Sequence, residues 1–302
     1  LSDTHLGNLM ESLDRLIPVD SLDEFSFEAN PATFTEKKVR FSRSLGMNRV
    51  SLGVQSLDAR ILRLLGREHT PEQALRSVEM LHNAGLPHVN MDLMFAIPGQ
   101  SLSVWENTLR EAVRAGTDHI SAYNLTYEED TEFFRSLSRG EKIQDPDEDA
   151  AYFELAENIL EAAGMRHYET SNYAREGARS PHNMAYWKGE DYVGIGPGAV
   201  STIDGVRYSN TRNTETYIRT TLENGLPESE REPVTAEDYR LERIALMLRT
   251  DEGLPLKYLL PEALPLLERY RTLELADVSA EQCLILKGRG RLLVDAIAAE
   301  LC

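Results

Sequence analysis

Apolar and polar positions along the first half of the chain switch repeatedly between a period of two and a period near 3.6, the pattern of strands alternating with amphipathic helices. Leu6, Leu9, Leu13 and Leu16 open the chain at helical spacing. "EFSFEANP" then reads as a short strand ending at Pro31, and Thr33 with Glu36 forms a capping box for a helix that stops near Gly46. "RVSLGVQS" is the next strand, followed by the helical "DARILRLLG" and by a second helix with Thr70 as N-cap, Pro71 in its first turn and Gly85 past its end. "HVNMDLMFAIPG" supplies a third strand, Ser101 caps the helix "LSVWENTLREAVRAG", and "HISAYNLTYEED" supplies a fourth strand. Strands separated by amphipathic helices predict repeated right-handed βαβ units, hence a parallel sheet or barrel.

Beyond Thr126 the pattern changes. "DPDEDAAYFELAENILEAAG" is a long acidic amphipathic helix, and "MRHYETSNYA" reads as one more strand. Past Asn224 the chain becomes rich in leucine and glutamate; "TAEDYRLERIALMLRT" is a strong helix, and the remainder reads as helix, strand, tight glycine turn and final helix. The expected organisation is an α/β barrel-like region over 1–175, a segment and connection over 176–230, and a small winged-helix-like domain over 231–302. No basic recognition face accompanies that last domain, so packing or docking suits it better than DNA binding.

Composition narrows the function. The 302 residues carry a formal charge of −18, which opposes both a nucleic acid backbone and an anionic membrane surface. No uncharged apolar run of about 18 residues is present, so no integral membrane segment is expected, while peripheral membrane contact is compatible with the sequence; a cytoplasmic location is the expectation. Cys283 and Cys302 are the only cysteines, too few for a disulfide scaffold or a cysteine-ligated metal site. The chain opens at Leu1, which is not an initiator methionine.

Polar residues fall at or just beyond the carboxyl ends of the expected strands: Glu28, Gln55 with Arg67 further on, Asp92 and Thr126. Ligands bind at that end of parallel α/β sheets, where loops and helix N-termini converge. Asp92 interrupts the apolar run "VNMDLMFAI", and it reads either as a structural carboxylate paired with a helix N-terminus or lysine, or as part of a site. His69, His82 and His88 show no partner in sequence and suit surface or ordinary helical positions. "GIGPG" at 194–198 lacks the spacing of a dinucleotide fingerprint and suits a tight loop. "SPHNMAYW" places His182, Asn183, Tyr186 and Trp187 in a polar segment with no clear period, either a turn carrying aromatics or a binding site.

Taken together, "FEANP", "RVSLGVQS", "LLGREHT", "MDLMFAIPGQ" and "HISAYNLTYEEDT" resemble the radical S-adenosylmethionine proteins of the oxygen-independent coproporphyrinogen oxidase group, across essentially the whole chain. "HYETSNYA", "SPHNMAYW" and "YVGIGPGAVS" are similar to the HemW-type haem chaperones within that group. The resemblance implies a partial TIM-type (β/α) barrel with a cofactor across its strand ends. It implies Glu28, Gln55, Arg67, Asp92 and Thr126 as contacts of S-adenosylmethionine. A guanidinium can grip the ligand carboxylate bidentately, and a carboxylate is tolerable near a sulfonium.

The family's 4Fe-4S cluster is held by a three-cysteine loop followed by a "GGGTP" segment, and neither occurs here. The expectation is therefore a chain that starts after that segment, lacks the first strands of the barrel and does not assemble the cluster. Three functions stay open: a haem chaperone that delivers haem to acceptor proteins, a coproporphyrinogen oxidase, and a fragment without activity of its own. For the chaperone, His182 is the candidate axial ligand to haem iron, Tyr186 and Trp187 offer flat surface to a porphyrin, and Asn183 orders the loop. Packing of the aromatics onto the barrel is the alternative role for Tyr186 and Trp187.

Overall fold

A computed structural model describes residues 2–125 and 146–302. Two compact units divide the chain between Pro181 and His182.

The first unit is built on a six-stranded sheet in the order β1-β2-β3-β4-β6-β5, with β1 Ser26–Ala29, β2 Arg49–Gln55, β3 His88–Phe95, β4 His119–Asn124, β5 Arg166–Glu169 and β6 Asn172–Ala174. The first four strands run parallel, joined by α2 Glu36–Ser44, by α3 Ala59–Leu64 with α4 Pro71–Asn83, and by α5 Leu102–Arg114. These are the βαβ units that the alternating pattern predicts. Thr70 and Gln73 form a reciprocal capping box at α4, and Ser101 caps α5. At α2 the cap is Thr35, whose hydroxyl accepts from the Lys38 amide, whereas Thr33 donates to the Asn30 carbonyl. The expected cap at Thr33 is therefore two residues early.

Strand alternation gives this sheet two chemically different faces. Val50, Leu52 and Val54, Val89, Met91, Leu93 and Phe95, and Ile120 and Ala122 point to one side and are buried. Against them pack Val39 of α2, Ala74, Val78 and Leu81 of α4, Trp105, Leu109 and Ala112 of α5, and Tyr152, Ala156 and Leu160 of α6, Pro146–Ala162. Each fully buried aliphatic side chain there stabilises the fold by about 1.5–3 kcal/mol. Trp105 is fully buried, and its indole nitrogen donates to the Tyr152 carbonyl at 3.0 Å. The opposite face carries Ser51, Gly53 and Gln55, Asn90 and Asp92, and His119, Ser121 and Tyr123.

"MRHYETSNYA" is not one strand but the antiparallel hairpin β5–β6, with β6 also antiparallel to β4. Helix α1, Asp3–Asp14, buries Leu6 and Met10, while Leu9 is exposed and Leu16 lies beyond the helix at 82% exposure. The apolar stripe thus ends a turn earlier than the leucine spacing suggests.

The second unit contains the antiparallel sheet β7-β8-β9, formed by Val200–Ile203, Val206–Asn210 and Glu228–Pro233. Residues 176–230, expected as a haem-motif segment and connection, contain β7, β8 and the start of β9. After helices α7 Pro181–Lys188 and α8 Thr214–Leu222 come α9 Ala236–Met247, α10 Leu264–Thr272 and α11 Val294–Leu301. These last three helices pack with the small sheet β10-β12-β11 (Leu254–Pro255, Cys283–Leu286, Ala276–Val278) around Ile244, Leu248, Tyr270, Leu284 and Ile297.

Candidate functional site

The polar face of the first sheet is ordered by strand register. Glu28 pairs with Ser51, Ser51 with Asn90, and Asn90 with His119; in the next row Gly53 pairs with Asp92 and Asp92 with Ser121. Over the β1–β3 end of this face opens a cavity of about 690 Å³, lined by Glu28, Gln55, Arg67 and Asp92 together with Asn30, Lys38, Ser51 and Gly53. Four of the five residues singled out at strand ends thus meet in one pocket, of a size usual for small-molecule sites, about 300–1,000 Å³. Thr126 lies outside the described residues.

Local backbone explains how the residues converge. Gln55 ends β2 with φ of +67°, at the point where the β2–β3 register shifts after Gly53. A left-handed conformation at a non-glycine residue costs on the order of 1–3 kcal/mol and is retained mainly where the surroundings hold it. Gly53 keeps the floor of the cavity open, because a Cβ there would stand 3.2 Å from both Asn30 Oδ1 and Gln55 Nε2. Arg67, between α3 and α4, reaches the same Asn30 oxygen from Nη1 at 3.2 Å.

Asp92 lies midway along β3 rather than at its end. It is paired with neither a helix N-terminus nor a lysine in the described hydrogen bonds: Oδ2 accepts from the Ser51 hydroxyl at 2.7 Å and Oδ1 from Asn90 Nδ2 at 2.7 Å. Burial raises its carboxyl above the ordinary value; bonds from Ser51, Ser121 and Asn90 oppose that, and the Glu28 charge adds to it. His119 is fully buried, and desolvation, with the charge of Arg49 next, lowers it to about 3. Its imidazole is neutral at neutral pH.

The sequence left Ser51, Asn90 and His119 unassigned. Their two-residue spacing from Gly53, Asp92 and Ser121 places them on the polar face, but the bonds between them depend on inter-strand register. His88 and His69 also have partners: His88 Nδ1 lies 2.6 Å from Asp118 Oδ2, and His69 Nε2 lies 3.1 Å from the Val54 carbonyl. His82 is exposed on α4, as expected.

"PHNMAYWK" is not a turn but helix α7. Its four candidate residues divide between two faces, because residues four apart share a face. His182 and Tyr186 are exposed with ring centroids 5.0 Å apart, edge to face, and Tyr186 is 4.9 Å from Tyr192. Asn183 and Trp187 are half-buried on a neighbouring face, and Met184 is buried. At the other end of α7, Arg243 donates to the Lys188 carbonyl. The following "GIGPG" is a tight loop as expected: a Cβ on Gly194 would lie 2.2 Å from the Val200 carbonyl oxygen.

Cys283 lies on β12 and Cys302 at the chain end, both free thiols. Among the described residues no group of three or more His, Cys, Asp or Glu side chains could hold a metal ion. No helix among them is long and apolar enough to cross a membrane.

Comparison with known proteins bears on this arrangement. Residues 3–112 match the Radical SAM superfamily. The chain is 37% identical over 280 residues to Heme chaperone HemW of Mycobacterium tuberculosis (strain ATCC 25618 / H37Rv), an overlap of 92% of this chain and 71% of that protein. It is 34% identical over 259 residues to Heme chaperone HemW of Bacillus subtilis (strain 168), covering 85% and 68% respectively. Among solved structures it is similar to the coproporphyrinogen III oxidase HemN of Escherichia coli, a radical SAM enzyme, with a TM-score of 0.81 at 21% identity over 100% of this chain and 74% of that one. That likeness concerns the fold alone. Radical SAM membership implies S-adenosylmethionine and a 4Fe-4S cluster as the cofactors of the family. The chain belongs to the HemW family of radical SAM proteins.

Proposed function

We propose that this chain serves a haem chaperone, binding haem as cargo on α7 and passing it to acceptor proteins, with S-adenosylmethionine held in the cavity of the first unit. The observation that carries the haem assignment is the pairing of His182 with Tyr186 on one exposed helix face. An exposed imidazole can offer a nitrogen to haem iron, and the neighbouring phenol ring, itself against Tyr192, offers flat apolar surface to the macrocycle. The two HemW relatives are named for haem, in keeping with this assignment. Trp187 and Asn183, on the adjoining half-buried face, orient the helix more readily than they touch the same porphyrin.

The cavity suits S-adenosylmethionine in chemistry. Arg67 supplies a cation for the ligand carboxylate, Glu28 and Asp92 supply acceptors for ribose hydroxyls or the amino group, and both carboxylates are compatible with a sulfonium. The space above Gly53, which a side chain would fill, supports a ligand approaching the sheet closely. Bound there, the ligand would bring a sulfonium-activated adenosyl group. A 4Fe-4S cluster is not accommodated by the cysteines of this chain, since Cys283 and Cys302 both lie in the second unit.

Two assays on the same preparation test the proposal. Haem is expected to bind stoichiometrically with a defined Soret band and to move to an added apo-haemoprotein, while coproporphyrinogen III is not decarboxylated. Turnover of coproporphyrinogen without retention of haem would overturn the chaperone assignment in favour of the oxidase.

A further inference from the structure

The polar face of the first sheet continues past the cavity as a buried string of hydrogen bonds whose donors all point one way. The Asn90 amide nitrogen faces the cavity side, donating to Asp92 Oδ1 at 2.7 Å and lying 2.9 Å from the Ser121 hydroxyl. That fixes the Asn90 oxygen toward His119 Nδ1, 2.7 Å away, which must carry a hydrogen. His119 is neutral, so its Nε2 is bare and accepts from the Tyr168 hydroxyl at 2.8 Å. The Tyr168 oxygen in turn accepts the Ser180 amide N–H at 3.2 Å. A side branch closes the cavity end: Asn90 Nδ2 donates to the Ser51 hydroxyl at 2.7 Å, and that hydroxyl donates to Asp92 Oδ2.

At the far end the string is anchored. Arg49 Nη2 donates to the Ala178 and Arg179 carbonyls, each at 2.9 Å, and the Ser180 hydroxyl donates to Glu24 Oε2 at 2.8 Å. Asn90, His119, Tyr168 and Ser180 are all buried. Ser180 is followed at once by Pro181, the first residue of α7. One line of side chains therefore runs from the cavity carboxylate to the root of the helix that carries His182.

We infer that His119 and Tyr168 are positioning residues that couple ligand binding at Asp92 to the Ala178–Ser180 segment and thereby to α7. The inference rests on the cavity being the S-adenosylmethionine site. A ligand group that draws on Asp92 changes how strongly the carboxylate accepts from Asn90 and Ser51, and each later bond has a single workable polarity. Hydrogen bonds in such a chain polarise one another. Coupling between sites of this kind is typically about 5- to 150-fold in affinity.

The test is amide hydrogen exchange of the whole chain with and without saturating S-adenosylmethionine, in wild type and Tyr168→Phe, alongside the ligand dissociation constant by equilibrium dialysis. In wild type the ligand should slow exchange both in the cavity strands and across 178–188, by at least about threefold at the Ser180 amide, which exchanges only when its bond opens. Tyr168→Phe, which keeps the ring and removes the hydroxyl, should abolish the effect on 178–188 and weaken ligand binding at least about fivefold. The wild-type comparison stands even if the variant folds poorly. Protection of the cavity strands with 178–188 unchanged would overturn the coupling while leaving the cavity assignment intact. Absence of saturable binding to wild type would overturn the cavity assignment and the coupling with it.

Discussion

Gly53 separates a binding role for the cavity from a structural one, because its substitution should act on ligand and fold in opposite directions. In Gly53→Ala the new methyl would stand 3.2 Å from Asn30 Oδ1 and Gln55 Nε2, both the far ends of polar side chains that can shift by a few tenths of an ångström. Gly53 is absent from the positive-φ positions, so alanine adopts its backbone without strain. Replacing a strand glycine by alanine then leaves stability unchanged or raises it by up to about 1 kcal/mol. Ligand binding should suffer. The methyl occupies the floor beside Asp92, and a displaced Asn30 lengthens its 3.2 Å bond from Arg67, which together should cost the bound ligand on the order of 1.5 kcal/mol. The expected loss is about tenfold in S-adenosylmethionine affinity, since about 1.4 kcal/mol is a factor of ten. Calorimetric titration of both proteins, with chemical denaturation as the stability measurement, reads the two effects separately. Unchanged affinity with intact folding would refute the placement of the ligand against the sheet floor.

Other outcomes follow from the same geometry. Burial raises the Asp92 carboxyl, so the folded state holds its proton more firmly than the unfolded chain; stability from this group is full below the unfolded value and is lost as pH rises through the raised one. Denaturation of wild type and Asp92→Asn from about pH 4 to pH 7 should therefore show wild type losing ground to the variant as pH rises, and parallel curves would contradict this. Nitrogen NMR of the imidazoles should find His119 neutral with its hydrogen on Nδ1 at about pH 5; an imidazolium there would break the bond polarity derived for Asn90 and Tyr168. Trp105→Ala should cost about 3–5 kcal/mol in denaturant unfolding, because it empties a fully buried site and leaves the Tyr152 carbonyl without its indole donor. A loss below about 1 kcal/mol would mean that the site refills, which is inconsistent with the packing of α5 on α6.

Where local pattern determines structure, the sequence was legible. The βαβ order of the first unit follows from alternation, caps at Thr70 and Ser101, and apolar runs that face the helices. The hairpin β5–β6 reads as one strand from sequence because its turn carries neither glycine nor proline to mark a chain reversal. The sheet β7–β9 escaped because β9, "ESEREP", is mostly exposed and charged, so no apolar face announces it. Helix α7 escaped for a related reason: it is short, and Met184 is its one buried residue. Glu28, Gln55 and Asp92 stand out as polar residues in or at the ends of strands, and register brings them to the cavity that Arg67 enters from the α3–α4 connection. Ser51, Asn90 and His119 matter only through partners on neighbouring strands, a relation that periodicity along one strand does not encode.

Haem affinity of the intact chain, followed through the Soret band in wild type, His182→Ala and His82→Ala, bears most directly on the assignment of α7. His82 is likewise an exposed helical histidine, on α4, so it controls for adventitious ligation. His182→Ala should weaken haem binding by at least about tenfold and shift the Soret maximum, while His82→Ala should match wild type. An unchanged spectrum and affinity in His182→Ala would contradict the account.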